Sequence, residues 1–330
     1  MTNFKTHLLA FTLSIILSIA LGFIIIPLLR RLKVGQNILG YVDNHAQKAG
    51  TSTMGGFIFA LSALIIFIFF CNGSADYSAI SLIVSLCFLI VGFLDDFIKI
   101  RSHSNQGLTA KQKIVFQLII SLLTAVFIYL KGSTYFFVPF YNKYVDFDIV
   151  GIFIIFFVFL ATTNCVNLTD GLDGLAGGVS YVYLLISYLL LNIQIRLFSN
   201  NFVNLQEGAN LALLMLIQAG AIIGFLLFNT FSATVFMGDT GSLYLGGLIA
   251  TTAIFSSNTL FIPFLGIMFV LSGISVIIQV LVYKKSKKRA FLMAPIHHHF
   301  EYKGYSESKI VFAYKLITLI VGLLCIITIL

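Results

Sequence analysis

Long apolar segments follow one another along almost the whole of this chain. An α-helix needs about 20 apolar residues to cross the hydrocarbon of a bilayer, and ten segments approach or exceed that length. They lie at 7–29, 53–71, 77–98, 114–131, 149–164, 176–195, 209–229, 242–257, 260–283 and 310–330. The pattern predicts an all-α polytopic membrane protein, with residues 1–330 forming a single membrane domain.

The composition excludes several classes of protein. Charged residues make up 10% of the 330 residues and apolar residues 59%, whereas a soluble domain carries about 25% charged residues. So few charges cannot cover a water-soluble surface. A cytosolic enzyme, a nucleic-acid-binding protein with an ordinary soluble domain and a disordered chain are therefore excluded. Arg30 and Arg31 follow the first segment in place of a small-residue cleavage site, so we expect a retained first span.

The basic residues fall unevenly on the two faces that ten spans create. Most of the 20 Lys and Arg residues lie in loops on one face, including the run at 284–289. By the positive-inside rule this face is cytoplasmic and both termini are external. On the external face, residues 134–148 alternate aromatic and polar side chains, which predicts a small β-hairpin.

Two adjacent carboxylates, Asp95 and Asp96, end the third apolar segment. On a helix their side chains point about 100° apart, so they need not share one ligand. Like charges this close raise at least one pKa unless a cation lies between them. The alternative interpretation is a hydrated helix end with Lys99 and Arg101 as partners.

A second polar stretch, 164–178, contains carboxylates and amides and no basic residue. Asn167, Asp170 and Asp173 recur every three residues, so they would line one face if the loop continued as a helix. Thr169 or Asp170 is an alternative candidate for the N-cap of the sixth helix. Capping accounts for one of these residues but not for all three, which favours a binding site.

A third polar stretch follows the seventh segment. Asn229 ends that segment, and residues 236–242 then combine Asp239 with glycines and hydroxyls and without Lys or Arg. The alternative is that Asp239 only caps the eighth helix, a role for which Thr240 and Ser242 would compete.

Three consecutive histidines, His297, His298 and His299, precede Glu301. In an extended segment the first and third would face one way and the second the other. They suit metal binding or donation to a phosphate, or they form a solvated interfacial run. Zinc is the weaker interpretation, because the acidic clusters favour a hard, oxygen-preferring ion.

Lys48 and Thr53 belong to a stretch rich in glycine and hydroxyl groups, 48–56, which suits an oxyanion. The stretch is not a P-loop: Gly35 and Gly40 have that spacing, but Tyr41 and Val42 replace the required Lys and Ser/Thr.

These polar groups all fall on the predicted cytoplasmic face. Carboxylates, glycine-rich loops and a few Lys and His residues are the parts that phosphoryl transfer uses, and Mg²⁺ binds one or two carboxylates together with the substrate's phosphates. The membrane setting implies a lipid substrate. A transporter is the alternative, but it would place charges near the centres of spans and not at one face.

Five strings occur in order along the chain: KAGTSTMGG, GFLDDFIK, NLTDGLDGLAGG, FMGDTGS and APIHHHFE. Together they resemble the phospho-N-acetylmuramoyl-pentapeptide transferase family, from Lys48 to Glu301. NLTDGLDG and GDTGS are shared by the wider polyprenyl-phosphate sugar-1-phosphate transferase superfamily, whereas the first and last strings favour the muramoyl-pentapeptide branch. Ser52 departs from the proline usual in the family.

The resemblance implies a Mg²⁺-dependent reaction in which UDP-N-acetylmuramoyl-pentapeptide and undecaprenyl phosphate give lipid I and UMP during peptidoglycan synthesis. It also implies a homodimer in the bacterial cytoplasmic membrane, with the active site on the cytoplasmic face. A related polyprenyl-phosphate N-acetylglucosamine-1-phosphate transferase is the alternative.

The resemblance also assigns roles to the acidic residues. Asp239 would ligate Mg²⁺, with Asp173 as a further ligand. Asp95 would act as acid or base, or an Asp would be a covalent nucleophile, with Asp96 beside it. Asn167, Asp170 and Asp173 would line the nucleotide and metal site.

The remaining roles implied by the resemblance concern substrate contacts. Phe236 would stack near the uracil, in a pocket shaped by Asn229 and Gly238. The nucleotide or its phosphates would be contacted by Lys48, Thr53 and Lys113, and the diphosphate would lie near His297, His298 and His299, with His297 counted among the catalytic residues.

Overall fold

The structure is a computed structural model, which describes residues 4–32, 51–102, 106–131, 134–198 and 205–330. Helices make up most of this part of the chain. The long helices are α1 (Phe4–Arg31), α2 (Gly56–Phe70), α3 (Asp76–Arg101), α4 (Ala110–Leu130), α5 (Asp148–Thr169), α6 (Leu175–Leu197), α7 (Leu205–Asn229), α8 (Gly238–Phe255), α10 (Ile267–Ser286) and α12 (Glu307–Ile327). Two short helices, α9 (Ile262–Leu265) and α11 (Ile296–Tyr302), complete the helical part.

Eight of the long helices are long and apolar enough to cross a membrane in the described part of the chain. The two others are α2, which has only 15 residues, and α8, which has 18. The prediction of an all-α, multi-pass membrane protein is confirmed.

The ninth predicted segment, 260–283, is not one continuous helix. A 3₁₀ turn at Thr259–Phe261 leads into α9, and α10 begins only after Gly266. Pro263 lies in the first turn of α9, where its missing N–H is tolerated. Gly266 then ends that short helix, so the apolar pattern alone hid a break in the chain direction.

Helix α8 lies at the centre of the molecule, and every residue from Thr240 to Phe255 is buried. It packs along α3, α5 and α2. Gly92 of α3 lies directly against the carbonyl of Asp239, and any side chain at position 92 would collide with it. This close approach brings the last turns of α3 beside the first turn of α8.

The prediction of a β-hairpin in residues 134–148 is confirmed, while its external location stays a prediction. Strand β1 (Tyr135–Val138) pairs antiparallel with β2 (Lys143–Asp146). The Thr134 hydroxyl donates to Asp146 Oδ1 at 2.6 Å, and Asn142 Nδ2 donates to the carbonyl of Thr328 at 3.0 Å. The second bond ties the hairpin to the end of α12, opposite the end of the helix bundle that carries the site described next.

Candidate active site

Asp95 of α3 and Asp239 of α8 are joined by two lysines. Lys99 Nζ lies 2.6 Å from Asp95 Oδ2 and 2.8 Å from Asp239 Oδ2. Lys113 Nζ lies 3.3 Å from Asp95 Oδ1 and 2.8 Å from the same oxygen of Asp239. Each ammonium group therefore bridges carboxylates from two helices that are far apart in sequence. We call Asp95, Asp96, Asp239, Lys99 and Lys113 the carboxylate–lysine cluster.

Asp96 faces a different way from its neighbour Asp95, as expected from the angle between successive side chains on a helix. Its Oδ1 accepts a hydrogen bond from the backbone N–H of Asp239 at 3.2 Å. Its Oδ2 accepts from the N–H of Thr240 at 3.0 Å and from the hydroxyl of Thr240 at 2.7 Å. Asp96 therefore binds the first turn of α8, whose N–H groups have no partner within the helix.

Asp239 was open to interpretation as a helix cap, and the structure gives that role to Asp96. Asp239 lies in the first turn of α8, but its side chain makes no capping bond. Its oxygens turn instead towards Lys99, Lys113 and Asn167. The carboxylate of Asp239 is thus available for chemistry, since a residue from α3 satisfies the helix terminus.

The start of α4 closes one side of the cluster. Thr109 and Gln112 form a reciprocal capping box that fixes the first turn of α4, from which Lys113 projects. The N–H of Leu108 donates to Asp95 Oδ1 at 2.9 Å. A cavity of about 330 Å³ opens here. It is lined by Asp95, Lys99, Gln106, Gly107, Leu108, Thr109 and Lys113.

Asn167 belongs to a helix and not to the loop in which the sequence placed it, because α5 continues to Thr169. Its Nδ2 donates to Asp239 Oδ1 at 2.5 Å and to the Ser242 hydroxyl at 2.8 Å. The amide therefore orients the Asp239 carboxylate from the side opposite the lysines. Asn167 thus lies beside Asp239, in a helix and not in the expected loop.

Asp170 and Asp173 lie in the short turn between α5 and α6, and neither caps α6, which begins after Gly174 without a side-chain cap. Burial raises the pKa of Asp170 well above its usual range, and the nearby carboxylates of Asp239, Asp96 and Asp173 raise it further. Asp173 Oδ2 accepts from the N–H of Ala233 at 3.0 Å. This contact anchors the 230–236 loop.

The histidines lie in the short helix α11, so the alternation that an extended segment would give does not apply. His297 is fully buried, and neither of its ring nitrogens has a hydrogen-bond partner among the described residues. The ring packs directly against Gly171. Burial, followed by the nearby His298, lowers the pKa of His297 to about 3, so its ring is neutral near pH 7.

The other two histidines have identified partners. His298 Nδ1 lies 2.9 Å from Glu301 Oε2, and its other nitrogen approaches Gly171. His299 Nδ1 accepts from the N–H of Leu292 at 3.1 Å. His299 thus fixes the loop before α11, whereas His297 and His298 face the turn that carries Asp170. We call Asp170, Asp173, His297 and His298 the histidine side of the site.

Thr53, Phe236 and Gly238 lie where the segment before α2 meets the loop before α8. The backbone N–H of Phe236 donates to the carbonyl of Ser52, and the carbonyl of Phe236 accepts from the N–H of Gly55, both at 2.8 Å. Gly238 has φ +70°, and it packs so tightly against Asp96 and Thr53 that a side chain would collide with both.

Asn229 supports the same loop from the end of α7. It is buried, and its Nδ2 donates to the carbonyl of Val235 at 2.9 Å. Lys48, the remaining predicted site residue, lies outside the described residues. The structure adds Lys99 and Thr240 to the predicted set. The spacing of four residues between Asp95 and Lys99 was a signal for the first, because such residues are neighbours on a helix.

Oxygens of Asp95, Asp96 and Asp239 all lie within 4.8 Å of one another. Carboxylate oxygens are the ligands that hard divalent cations prefer, so the residues present fit a metal ion. Asp173, which was also predicted as a ligand, does not belong to this group of three within the described ranges. Its role in binding a metal stays a prediction.

Comparison with known proteins gives a consistent result. The model of the family described as glycosyl transferase family 4 matches residues 78–257. A protein from Clostridium perfringens (strain 13 / Type A), named phospho-N-acetylmuramoyl-pentapeptide-transferase, is 42% identical over 94% of this chain and 95% of its own length. Proteins of the same name from Clostridium botulinum (strain Alaska E43 / Type E3) and Clostridioides difficile (strain 630) are 42% and 39% identical. Each match covers 98% of this chain, and 95% and 97% of the respective relative.

Proposed function

This chain belongs to glycosyl transferase family 4 and, within it, to the phospho-N-acetylmuramoyl-pentapeptide transferases, and on that premise we propose how its site works. The enzyme transfers phospho-N-acetylmuramoyl-pentapeptide from its UDP-linked donor to undecaprenyl phosphate. An oxygen of the lipid phosphate attacks the phosphorus that carries the sugar. The bond from that phosphorus to the bridging oxygen breaks, and the oxygen leaves with UMP, so that lipid I and UMP are formed.

The observation that carries this proposal is the bridging of Asp95 and Asp239 by two lysines beside an open cavity. Lys99 and Lys113 both line that cavity, so their ammonium groups can bind a diphosphate there. A leaving phosphate gains negative charge as the bond breaks, and fixed cations stabilise that charge. Both lysines come from helices α3 and α4, which hold them in place before the substrate arrives.

Asp95 is the group best placed to act on the lipid phosphate. It is buried, lines the cavity and is held by Lys99, Lys113 and the N–H of Leu108. A phosphate monoester has a second pKa near 6 and is mostly dianionic at neutral pH, so it hardly needs a strong base. We therefore favour direct attack, with Asp95 orienting the phosphate and completing its deprotonation.

The metal of this site is proposed to be Mg²⁺, held by Asp239 with Asp95 beside it. When bound, the ion supplies positive charge that neutralises the phosphates of the donor. Asn167 orients Asp239 through the bond to Oδ1, which leaves the other oxygen, Oδ2, facing the cavity lysines.

The membrane placement of the enzyme extends the same proposal. The helix ends that carry the site correspond to the face rich in basic loops, so the active site faces the cytoplasm and both termini are external. The bilayer is the bacterial cytoplasmic membrane, which supplies undecaprenyl phosphate. A homodimer is expected from the family resemblance.

The test is UMP release by the purified chain in detergent, with undecaprenyl phosphate and Mg²⁺. The muramoyl-pentapeptide donor should support turnover that stops when EDTA is added and returns with excess Mg²⁺. UDP-N-acetylglucosamine is the matched donor control, since it offers the same nucleotide and diphosphate. Turnover with that donor alone would replace the proposal by the related N-acetylglucosamine-1-phosphate transferase.

A further inference from the structure

Asp95 and Asp96 are adjacent carboxylates, but they contact different groups, which indicates different roles. We propose that Asp96 is a positioning residue: it fixes the first turn of α8 and thereby places the Asp239 carboxylate, without itself binding metal or moving a proton. This inference rests on the proposed function, because it assigns Asp239 as the group to be placed.

The hydrogen bonds of Asp96 are directed at one target. Three donors reach it, all from the first turn of α8: the N–H of Asp239, the N–H of Thr240 and the hydroxyl of Thr240. A carboxylate that accepts several such bonds satisfies the orphan donors of a helix terminus and complements the helix dipole. Here the cap comes from a different helix, so it also locks α3 to α8.

Asp96 is poorly placed to meet the substrate. Both adjacent carboxylates are buried, but only Asp95 lines the cavity together with Lys99 and Lys113, and Asp96 is not among the described residues that line it. Lys99 Nζ is 3.9 Å from Asp96 Oδ1, against 2.6 Å from Asp95 Oδ2. Gly238 also packs closely against Asp96 Oδ2. The oxygens of Asp96 are therefore occupied by the protein.

The consequence for Asp239 follows from its place in the chain. The backbone N–H of Asp239 donates one of the hydrogen bonds that Asp96 accepts. A change in that hydrogen bond therefore moves the backbone of Asp239, and with it the carboxylate to which we assign the chemistry. Misplacement of a reacting group by about 1 Å can cost on the order of 100-fold in rate. Asp96 can thus be essential for turnover without touching a substrate.

The experiment separates the two roles with substitutions on the partner side of the contact. Thr240 is fully buried, and its hydroxyl reaches Asp96 and nothing in the cavity. Thr240→Val removes that hydroxyl at nearly constant volume, whereas Thr240→Ser retains it. Thr251→Val is the matched control, because Thr251 is a buried threonine of the same helix whose hydroxyl bonds only within that helix.

Two quantities are measured for each variant: the affinity for Mn²⁺, followed by electron paramagnetic resonance without donor, and kcat for UMP release. Thr240→Val should weaken Mn²⁺ binding and lower kcat, each by about tenfold, the effect of losing one hydrogen bond to a charged group. Thr240→Ser should retain most of both, and Thr251→Val should match the wild type. Asp96→Asn should show the same pattern at greater size, with about 100-fold lower kcat.

The proposal is overturned if Thr240→Val has wild-type Mn²⁺ affinity and kcat while folded Asp96→Asn is inactive, since Asp96 would then act directly. It is also overturned if Asp96→Asn loses activity but binds Mn²⁺ as the wild type does. Both results leave the proposed function intact as long as the wild type releases UMP. A wild type that binds Mn²⁺ but releases no UMP would instead contradict the proposed function. The Thr240 pair keeps the test decisive if Asp96→Asn fails to fold.

Discussion

The carboxylate–lysine cluster and the histidine side lie at the same end of the helix bundle, but their buried polar groups have different partners. In the cluster, two lysines and the N–H groups of α8 compensate the three carboxylates. On the histidine side, His297 has no partner for either ring nitrogen among the described residues, and burial raises the pKa of Asp170. On the histidine side the buried ring of His297 is neutral near pH 7, whereas in the cluster the carboxylates face two ammonium groups.

The difference shows where this chain places its few buried charges. Buried charges are costly unless they are paired, whereas a neutral imidazole costs less to bury. The cluster is therefore organised for charged chemistry before any substrate arrives. The histidine side contains uncompensated polar atoms, which a phosphate or a sugar hydroxyl can satisfy.

The largest expected effect is on the cluster. Asp239→Asn removes the charge that both lysines contact and that the proposed metal would use, and we expect kcat/KM for UMP release to fall about 1000-fold, as for loss of a central electrostatic group. Asn229→Asp would be a poor control because it is buried in the same loop system. Asp146→Asn is the better control, since Asp146 lies in the β-hairpin at the end of the bundle opposite the site. Equal losses in both variants would contradict the special role of Asp239.

The second prediction concerns Gly238, the first residue of α8, and its close contacts with Asp96 and Thr53. Gly238→Ala must adopt a positive φ and also meet Asp96 and Thr53, so we expect a loss of about 3 kcal/mol in the free energy of unfolding. Gly304→Ala is the matched control: it has φ +89° with no atom within 4 Å of the added carbon. It should lose only about 1 kcal/mol. Denaturation in detergent measures both, and equal losses would show that packing at Gly238 is unimportant.

The third prediction tests whether the buried imidazole ring of His297 is neutral in the folded protein. His297→Phe removes two unsatisfied nitrogens, so we expect about 2 kcal/mol of added stability at neutral pH together with reduced turnover. The native ring has a pKa of about 3 against an ordinary 6.5, so the unfolded chain takes up its proton first as the pH falls. His297 therefore removes stability progressively between about pH 6.5 and pH 3, and the variant should lose less on acidification.

Thermal unfolding measured across that pH range checks this result. His299→Phe is the control, because His299 already has a backbone partner in Leu292. If His297→Phe destabilises the protein at every pH, the imidazole must have a partner that stabilises the folded chain, and the contrast between the two regions would weaken.

The smallest expected effect is that of Asp173→Asn. Asp173 holds the 230–236 loop through the N–H of Ala233, and an amide oxygen can still accept that bond. We expect a loss of about 1 kcal/mol in stability and unchanged Mn²⁺ affinity. A tenfold weaker affinity would instead support the prediction that Asp173 is a metal ligand and would join the two regions into one metal site.

The sequence predicted the membrane helices well because the length and hydrophobicity of each apolar segment are local properties of the chain. The acidic residues were also found, since carboxylates beside apolar helix ends are conspicuous in a chain with so few charges. It could not predict which partner each would take. Asp95 and Asp96 are adjacent in sequence, but one faces Lys113 from α4 and the other faces the backbone of α8. Neither contact has a local signal.

The histidines show the same limit in another form. Three in a row indicated a polar site, but not that they form a helix in which His297 is buried against Gly171 while His299 fixes a loop. Burial of a polar ring depends on what the rest of the chain places over it. A local pattern carries no information on that point.

By itself, the sequence determined that this protein is a bundle of membrane helices with most of its acidic residues at one end, because hydrophobicity and charge act residue by residue. Only the tertiary structure decided which groups each carboxylate contacts. The close approach of α3 and α8 at Gly92 brings Asp96 under the first turn of α8 and turns Asp239 towards the lysines. That division depends on distances of about 3 Å between helices more than 100 residues apart, which the order of residues does not contain.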